Sequence, residues 1–289
     1  MLVLFADTDS DLTPELAEEL GYKLISMPYS TDGNTVYPYE DFKTFDVKPF
    51  YDMLRSGIIP TTSAISVERY KQYFEPVFAN GDDILYVHFS RAMSATFEVM
   101  DKAVEELKEK YPERKFYQID TKGISILTLA IIYEVSDLVK AGKTPEEILE
   151  WASVEVDKFA VYFFADDLKF FKRSGRVSGL AATMGTLLGI RPIIYMNAEG
   201  KMTSIGQEKG RTKALERLLA YSAELGDNIK EHRVLIAHAD AQDFADEMEA
   251  LLKGKFGDDL NVIKVVVNPT IGCHCGPNSM GVCFHAVHR

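Results

Sequence analysis

Hydrophobic and polar positions alternate along this chain in two distinct patterns. Short apolar runs rich in β-branched and aromatic residues indicate strands, namely "LVLFA", "KLISMPY", "DILYVHFS" and "KFYQID" in the first half and "AVYFFAD", "RPIIYMN", "HRVLIAHAD" and "NVIKVVVN" in the second. Between them, apolar residues recur with the spacing of amphipathic helices. Strands that alternate with helices predict an α/β fold.

Two threonine-proline pairs mark the starts of predicted helices. Thr13-Pro14 precedes "ELAEEL" and Thr144-Pro145 precedes "EEILEWASVEVDKF", so each helix has a hydroxyl N-cap and a proline at its first position. The second start lies near the middle of the chain and indicates a boundary between two α/β domains, residues 1–152 and 153–289. We expect a largely parallel sheet in the first domain and a mixed sheet with helices in the second.

Three loops of the first half are rich in hydroxyl groups: "ADTDSD", "PTTSAIS" and "HFSRAMSATFE". Because open α/β sheets place ligands at the carboxyl ends of their strands, we expect these loops to converge on one site. The hydroxyl residues of the last two loops that could bind an anionic headgroup are Thr61, Thr62, Ser63, Ser90, Ser94 and Thr96. A capping role is the alternative, since Ser66 and Ser94 each precede a predicted helix. The two roles are compatible.

Composition narrows the class of partner. The 289 residues include 32 Lys and Arg against 44 Asp and Glu, a formal net charge of −12, which argues against a nucleic-acid partner. The first residues, "MLVLFADTDSD", lack the cationic segment of a signal peptide, and no apolar run approaches the roughly 20 residues that span a bilayer. With three cysteines and no secretory signal, we expect a cytoplasmic protein with reduced thiols.

All three cysteines lie in "IGCHCGPNSMGVCFH", residues 271–285. The Cys-x-Cys spacing of Cys273 and Cys275 suits neither a structural zinc site nor a thioredoxin-like redox pair, so we predict no metal here. The glycines instead predict a tight loop whose backbone approaches another group closely. His274 is then the polar member of the loop, and the thiols pack in the core.

Two basic segments stand out in an acidic chain. "LKFFKRSGRVSG" contains Lys169, Lys172, Arg173 and Arg176, which could meet a phosphate or an acidic partner, or could simply be a solvated helix end. "KGRTKALERL" places Arg211 at a helix start, where the helix dipole disfavours cations and a functional role is therefore indicated.

A pairing of His238 with Asp240 in "AHADA" leaves open an enzyme, a hydrolase or phosphotransferase. The chain has no glycine-rich phosphate loop and no nucleophile elbow to accompany them. We therefore favour a protein without catalytic residues of its own.

Several segments, in order and across nearly the whole chain, resemble the DegV family of bacterial fatty-acid-binding proteins: "DTDSDLTPEL", "PTTSAIS", "SRAMSAT", "LKFFKRSGRVS" followed by "LLGIRPII", "GRTKAL", "HAD" and "GCHCGPNSMG". The sequence departs from the family pattern in three places. Ser63-Ala64-Ile65 stands for the usual Ser-Gln-Pro, Ala95 for a glycine, and Asn278-Ser279 for glycine and alanine.

The resemblance implies a two-domain carrier with a long-chain fatty acid buried between the domains and no other cofactor. It places the carboxylate on Thr62 and Ser94, with His274 nearby, while Thr61 and Ser63 flank that site. It also implies a role for Arg211, Arg173 and Arg176 at the headgroup rim or at a contact with a separate ATP-dependent fatty acid kinase. A ligand-sensing regulatory protein without a kinase partner is an alternative, and we expect a monomer.

For the tail, the apolar stretches "AATMGTLLGI" and "VYFFA" could line a tunnel or could belong to the ordinary core. Their residue types do not distinguish the two.

Overall fold

In a computed structural model of the protein, which describes residues 1–179 and 189–289, strands and helices alternate as the pattern predicts. The strands are β1 (Leu2–Asp7), β2 (Tyr22–Ile25), β3 (Tyr29–Thr31), β4 (Asn34–Val36), β5 (Thr61–Thr62), β6 (Asp83–His88), β7 (Phe116–Asp120), β8 (Phe159–Phe164), β9 (Val177–Ser178), β10 (Ile190–Met196), β11 (Met202–Lys209), β12 (Val234–His238), β13 (Val262–Val266) and β14 (Met280–His285). The helices are α1 (Pro14–Leu20), α2 (Val47–Arg55), α3 (Val67–Ala79), α4 (Thr96–Lys110), α5 (Ile126–Lys140), α6 (Pro145–Glu155), α7 (Leu168–Ser174), α8 (Arg211–Leu225), α9 (Gln242–Phe256) and α10 (Pro269–Cys275). Single 3-10 turns cover Thr8–Ser10, Arg91–Met93 and Val156–Lys158.

The N-terminal sheet has the strand order β2-β1-β6-β7, and all of its pairs are parallel. This confirms the predicted parallel sheet. Beside it, β3, β4 and β5 form a small antiparallel sheet in which Thr62 stands opposite Tyr29. This small sheet fixes the second hydroxyl-rich loop over the carboxyl edge of the larger one.

The second sheet is mixed, as predicted, with the order β13-β12-β14-β8-β10-β11-β9. Its β12–β13 and β11–β9 pairs are parallel, and the other pairs are antiparallel. Strand β8 alternates between two packing environments, because Val161 belongs to the core that the sheets share while Tyr162 and Phe164 face helices α8 and α9.

Helix α5 joins the two sheets. Its first residues, from Ile126 to Tyr133, are all buried, and the helix contacts β6 on one side and β8, β12 and β14 on the other. A helix that is apolar around its whole circumference is the kind that lies inside a protein. The two halves therefore share a hydrophobic core in which Leu85, Ile131 and Leu235 belong to one cluster.

Both threonine-proline helix starts are confirmed. The Thr13 hydroxyl accepts a hydrogen bond from the Leu16 amide, and Thr144 forms a reciprocal capping box with Glu147. The predicted division between residues 152 and 153 falls inside α6, and the domain limits stay a prediction. Among the described residues, every helix is too short or too polar to cross a lipid bilayer.

The prediction of a tight loop between "NVIKVVVN" and "GVCFHAV" is wrong in part, since Pro269–Cys275 form helix α10. Asn268 caps this helix through Oδ1, which accepts from the Thr270 and Ile271 amides, and Pro269 occupies its first position. The predicted close approach of backbone is confirmed. A Cβ atom on Gly272 would lie 2.9 Å from the Phe50 ring.

Candidate functional site

A cavity of about 260 Å³ lies between the carboxyl edge of the N-terminal sheet, helix α10 and the inner face of the second sheet. Its wall is mainly apolar, and its larger side chains include Met27, Phe89, Met93, Ile126, Phe163 and Val267. The three hydroxyl-rich loops converge here as predicted. Asp9 comes from the first loop, Thr62 and Ser63 from the second, and Ser94 from the third.

Thr62 and His274 form the most direct polar contact of the cavity wall. The Oγ1 atom of Thr62 lies 2.9 Å from Nε2 of His274. Burial and, to a smaller extent, the charge of Arg176 lower the pKa of His274 to about 4, so the imidazole is neutral near pH 7. If Nε2 carries the proton and donates to Oγ1, the Thr62 hydroxyl hydrogen is free to point into the cavity.

Ser94 lies one residue before Ala95, which is the N-cap of α4. Its Oγ atom accepts a hydrogen bond from the Thr96 amide at 3.2 Å and so pairs a free N–H of the first turn without being the cap residue. An accepting hydroxyl keeps its own hydrogen for another partner. Since Ser94 also lines the cavity, that hydrogen is available to a bound anion.

The other hydroxyl candidates differ in position. Ser63 is exposed and lines the cavity, whereas Thr61 is exposed on β5, opposite Ser30, and does not belong to the described lining. Adjacent strand residues point to opposite faces, which explains the split between Thr61 and Thr62. Ser90 donates to the Gly200 carbonyl at 2.8 Å, and its hydroxyl hydrogen is therefore used.

The three candidate arginines occupy different environments. Arg176 lines the cavity, and Arg173, which is exposed on α7, donates to the Ile59 carbonyl at 2.6 Å. Arg211 lies outside the described cavity wall and forms ion pairs with Asp243 at 2.8 Å and Glu247 at 2.9 Å. These carboxylates from α9 explain how a cation is tolerated at the start of α8.

His238 and Asp240 have different partners. The His238 Nδ1 atom accepts from the Ala241 amide at 3.2 Å, and burial lowers the pKa of the ring. The Asp240 carboxylate binds Arg55 at 2.5 Å. No hydrogen bond joins His238 to Asp240 within the described part of the chain, so the geometry gives the hydrolase alternative little support.

The three thiols are buried. Burial raises the pKa of each thiol, to about 12 for Cys275, and the Cys273 Sγ atom donates to the Pro269 carbonyl at 3.1 Å. Within residues 1–179 and 189–289, no group of three or more His, Cys, Asp or Glu side chains is arranged to hold a metal ion.

Only some of the residues that could line a tunnel for a fatty-acid tail belong to the described part of the chain. Val161 and Phe163 of the "VYFFA" stretch line the cavity, because they share the inward face of β8. Of "AATMGTLLGI", residues 181–188 lie outside the described residues.

Sequence reasoning missed Asp9 and Ser125, which both line the cavity. The sequence predicts that the acidic loop "ADTDSD" is part of the site. Its aspartates recur at every second position, which puts Asp7, Asp9 and Asp11 close together, and this spacing is a signal that could have identified Asp9. Ser125 adopts a positive φ of 58°, and nothing in the local sequence indicates this.

Comparison with known proteins agrees with this architecture. A profile of the family described as "Uncharacterised protein, DegV family" matches residues 1–287. A DegV domain-containing protein of Clostridium perfringens is 32% identical over 282 residues, which are 98% of this chain and 96% of the relative.

Two solved structures have a similar fold. One is a DegV family protein from Thermus thermophilus whose structure is described by its fatty acid binding, with a TM-score of 0.85, 23% identity and 99% of each chain covered. Another is a DegV family protein from Eubacterium eligens loaded with heptadecanoic acid, with a TM-score of 0.86, 21% identity and coverage of 99% of this chain and 100% of that one. Since the family profile spans almost the entire sequence and the fold agrees, the protein belongs to the DegV family.

Proposed function

We propose that the protein binds a long-chain fatty acid, with the tail in the cavity and the carboxylate on the Thr62 and Ser94 hydroxyls. The observation that carries the proposal is an apolar cavity whose polar wall joins hydroxyls from two loops to a neutral imidazole, with Thr62 2.9 Å from His274. The fatty acids named for the Thermus and Eubacterium structures support this class of ligand.

The tail supplies the affinity. Burying about 15 methylenes at roughly 0.8 kcal/mol each gives a gross transfer free energy near 12 kcal/mol, before the cost of ordering the ligand. A protein with a net charge of −12 therefore needs no cationic clamp to hold an anion of this kind. The headgroup contacts have only to offset the cost of desolvating the carboxylate.

The headgroup contacts can do so. A carboxylate buried without partners costs several kcal/mol, and hydrogen bonds to a charged group recover about 1.5 to 3 kcal/mol each. Thr62 and Ser94 both have a hydroxyl hydrogen that can point at the ligand. His274 behind Thr62 orients that hydroxyl as a donor, since its Nε2–H can occupy the lone pair of Oγ1.

Beyond fatty acid binding, we propose that the protein presents the carboxylate of the bound acid to a separate ATP-dependent kinase. Ser63, Ala64 and Ala95, which line the cavity, are exposed, and this supports a headgroup that lies close to solvent. Arg173 and Arg176 are exposed near this end and could attract a partner that bears acidic or phosphate groups. The carrier itself then needs no catalytic residue.

The test of fatty acid binding has two steps. Denaturing mass spectrometry of a solvent extract of the purified protein should detect a co-purified fatty acid. Displacement of a fluorescent fatty acid by a series of saturated acids should then show affinity rising about 4-fold per added methylene until the cavity is full.

Methyl esters of the same acids are the matched control, because they keep the tail and remove the charge. We expect them to bind more weakly than the acids. Affinity that does not change with chain length would overturn the proposal, since the tail would then lie outside the cavity.

The kinase contact is tested separately. Arg173→Ala and Arg211→Ala should each leave acyl binding unchanged and weaken association with the kinase, because surface cations promote the encounter with an acidic partner. Equal association of both variants and the unmodified protein would show that neither arginine is a partner contact.

A further inference from the structure

Three aspartates lie within one turn after β1, and two of them are fully hydrogen-bonded. The Asp7 carboxylate accepts from the Tyr86 hydroxyl at 2.9 Å and from the Phe89 amide at 3.3 Å. The Asp11 carboxylate accepts from the Asn268 amide at 2.8 Å and from the hydroxyl of Ser125. These two side chains hold the turn in place.

Asp9, between them, has no such side-chain partner within residues 1–179 and 189–289. Its side chain is only 7% exposed and lines the cavity, and its Oδ1 atom makes no hydrogen bond to the described residues. Burial raises the pKa of Asp9 well above the usual range, and the nearby charges of Asp7 and Asp11 add to this, while Arg176 acts in the opposite direction. In either protonation state the carboxyl group has acceptor capacity at Oδ1 that the described residues leave unused.

Two hydroxyls of the cavity wall already donate elsewhere. Thr270 donates to the Met27 carbonyl at 2.7 Å, and Ser125 donates to Asp11. A buried polar group left unpaired costs about 1 to 3 kcal/mol. A ligand that fills the cavity can supply the missing partner.

The turn that contains Asp9 and the His274 side chain are attached near opposite ends of α10. The Asn268 side chain, at the start of α10, donates to the Thr8 carbonyl at 2.6 Å, which fixes the Asp9 turn at that end of the helix. His274 comes six residues later, roughly 9 Å along the axis at 1.5 Å per residue. A fatty acid with its carboxylate at Thr62 therefore passes Asp9 with part of its chain.

We propose that the preferred ligand is a fatty acid that carries a hydroxyl group on its chain, and that Asp9 forms a hydrogen bond with this hydroxyl. This inference rests on the proposed function. The Asp9 carboxyl group, which is polar and lies in an apolar wall, then pairs with the polar substituent of the ligand. The carboxylate contacts are the same for hydroxylated and unsubstituted chains, so the difference in affinity between them reports on Asp9.

The experiment compares octadecanoic acid with octadecanoic acids hydroxylated near the carboxyl group, in the middle of the chain and near the methyl end. Displacement of a fluorescent fatty acid from the unmodified protein should show that one positional isomer binds about 3-fold to 10-fold more tightly than the unsubstituted acid, as one net hydrogen bond provides. Because Asp9 occupies one place along the cavity, the other isomers should bind more weakly than the unsubstituted acid.

Three variants complete the design. Asp9→Leu should abolish the preference while keeping or improving the affinity for octadecanoic acid, and Asp9→Asn should retain the preference because the amide oxygen can accept from the same hydroxyl. Asp243→Asn is the matched control, since Asp243 is an exposed carboxylate of α9 outside the described cavity wall, and its preference should equal that of the unmodified protein. Thermal unfolding confirms that each variant is folded.

The outcomes are distinguishable. If unsubstituted and hydroxylated acids bind equally well to the unmodified protein, or if Asp9→Leu keeps the preference, the inference is overturned and fatty acid binding stands. If none of the acids binds, the proposed function itself fails.

Discussion

The Thr62 hydroxyl and the His274 imidazole lie 2.9 Å apart although 212 positions separate them in the chain. Thr62 is held by the small antiparallel sheet of the N-terminal half, and His274 is held by α10 near the C-terminus. The contact therefore exists only when both halves of the protein are folded together, and it places a neutral ring directly behind the proposed carboxylate site.

Removal of either hydroxyl should weaken fatty acid binding. Thr62→Ala and Ser94→Ala should each reduce affinity about 10-fold to 150-fold, because a hydrogen bond to a charged group is worth about 1.5 to 3 kcal/mol. The double variant should lose less than the sum if water replaces both donors. Displacement of a fluorescent fatty acid measures the effect.

Thr61→Ala is the matched control for these variants. Thr61 is the chain neighbour of Thr62 but lies outside the described cavity lining, so its removal should leave affinity unchanged. Unchanged affinity in the Thr62→Ala/Ser94→Ala variant would mean that the two hydroxyls only stabilise local structure.

His274 should act as a neutral donor. Because burial holds the pKa of His274 at about 4, the ring does not titrate at neutral pH, and affinity should stay constant between about pH 6 and pH 8. His274→Ala should weaken binding, and His274→Gln, which keeps an N–H donor, should restore part of it. An affinity that rises as the pH falls through roughly 6.5 would instead indicate an imidazolium that binds the carboxylate directly.

Much of this site could be predicted from local sequence. The first and third hydroxyl-rich loops follow the parallel strands β1 and β6, so their meeting at one edge of the sheet could be predicted from the sequence. The loop of Thr62 is held instead by the small antiparallel sheet, and the pairing of Thr62 with Ser94 is implied by the family resemblance. The N-cap signals at Thr13 and Thr144 depend on adjacent residues only, which is why they were recognised.

Other features of the fold and the site depend on tertiary contacts, or the sequence signal for them was misinterpreted. The glycines near Cys273 suggested a loop, although Asn268-Pro269 is the same kind of N-cap and proline signal that marks α1. The partners of Arg211 come from α9, more than thirty residues away, and no local pattern indicates them. Whether a buried carboxylate such as Asp9 finds a donor is likewise decided by the packed structure.

The Asp7 carboxyl group should make the free energy of unfolding depend on pH. Burial raises the pKa of Asp7 to about 7, although the Tyr86 hydroxyl and backbone amides lower it, whereas an unfolded aspartate titrates near 3.9. Between these values the folded state holds the proton and the unfolded state does not. The contribution of Asp7 to the free energy of unfolding is therefore fully present below about pH 4 and is lost as the pH rises through about 7.

Asp7→Asn tests this contribution, because asparagine does not titrate in this range. Relative to the unmodified protein, the variant should gain stability as the pH is raised from about 4 to 7, whatever constant cost the substitution brings. Urea unfolding at a series of pH values measures the difference. A difference that does not change with pH would contradict a raised pKa for Asp7.

Two glycines offer a matched test of the packing that supports α10. Gly276 ends α10 at a φ of +71° and a ψ of 173°, and a Cβ atom there would overlap the Phe170 ring, whereas Gly210 precedes α8 at a φ of +87° and a ψ of 165° with nothing within 4 Å of such an atom. Gly210→Ala should cost about 1 to 3 kcal/mol from backbone strain alone. Gly276→Ala should cost about 2 to 6 kcal/mol, because displacement of a buried ring adds to the strain. Urea unfolding of both variants measures the two costs, and equal values would show that the Phe170 ring moves aside without penalty.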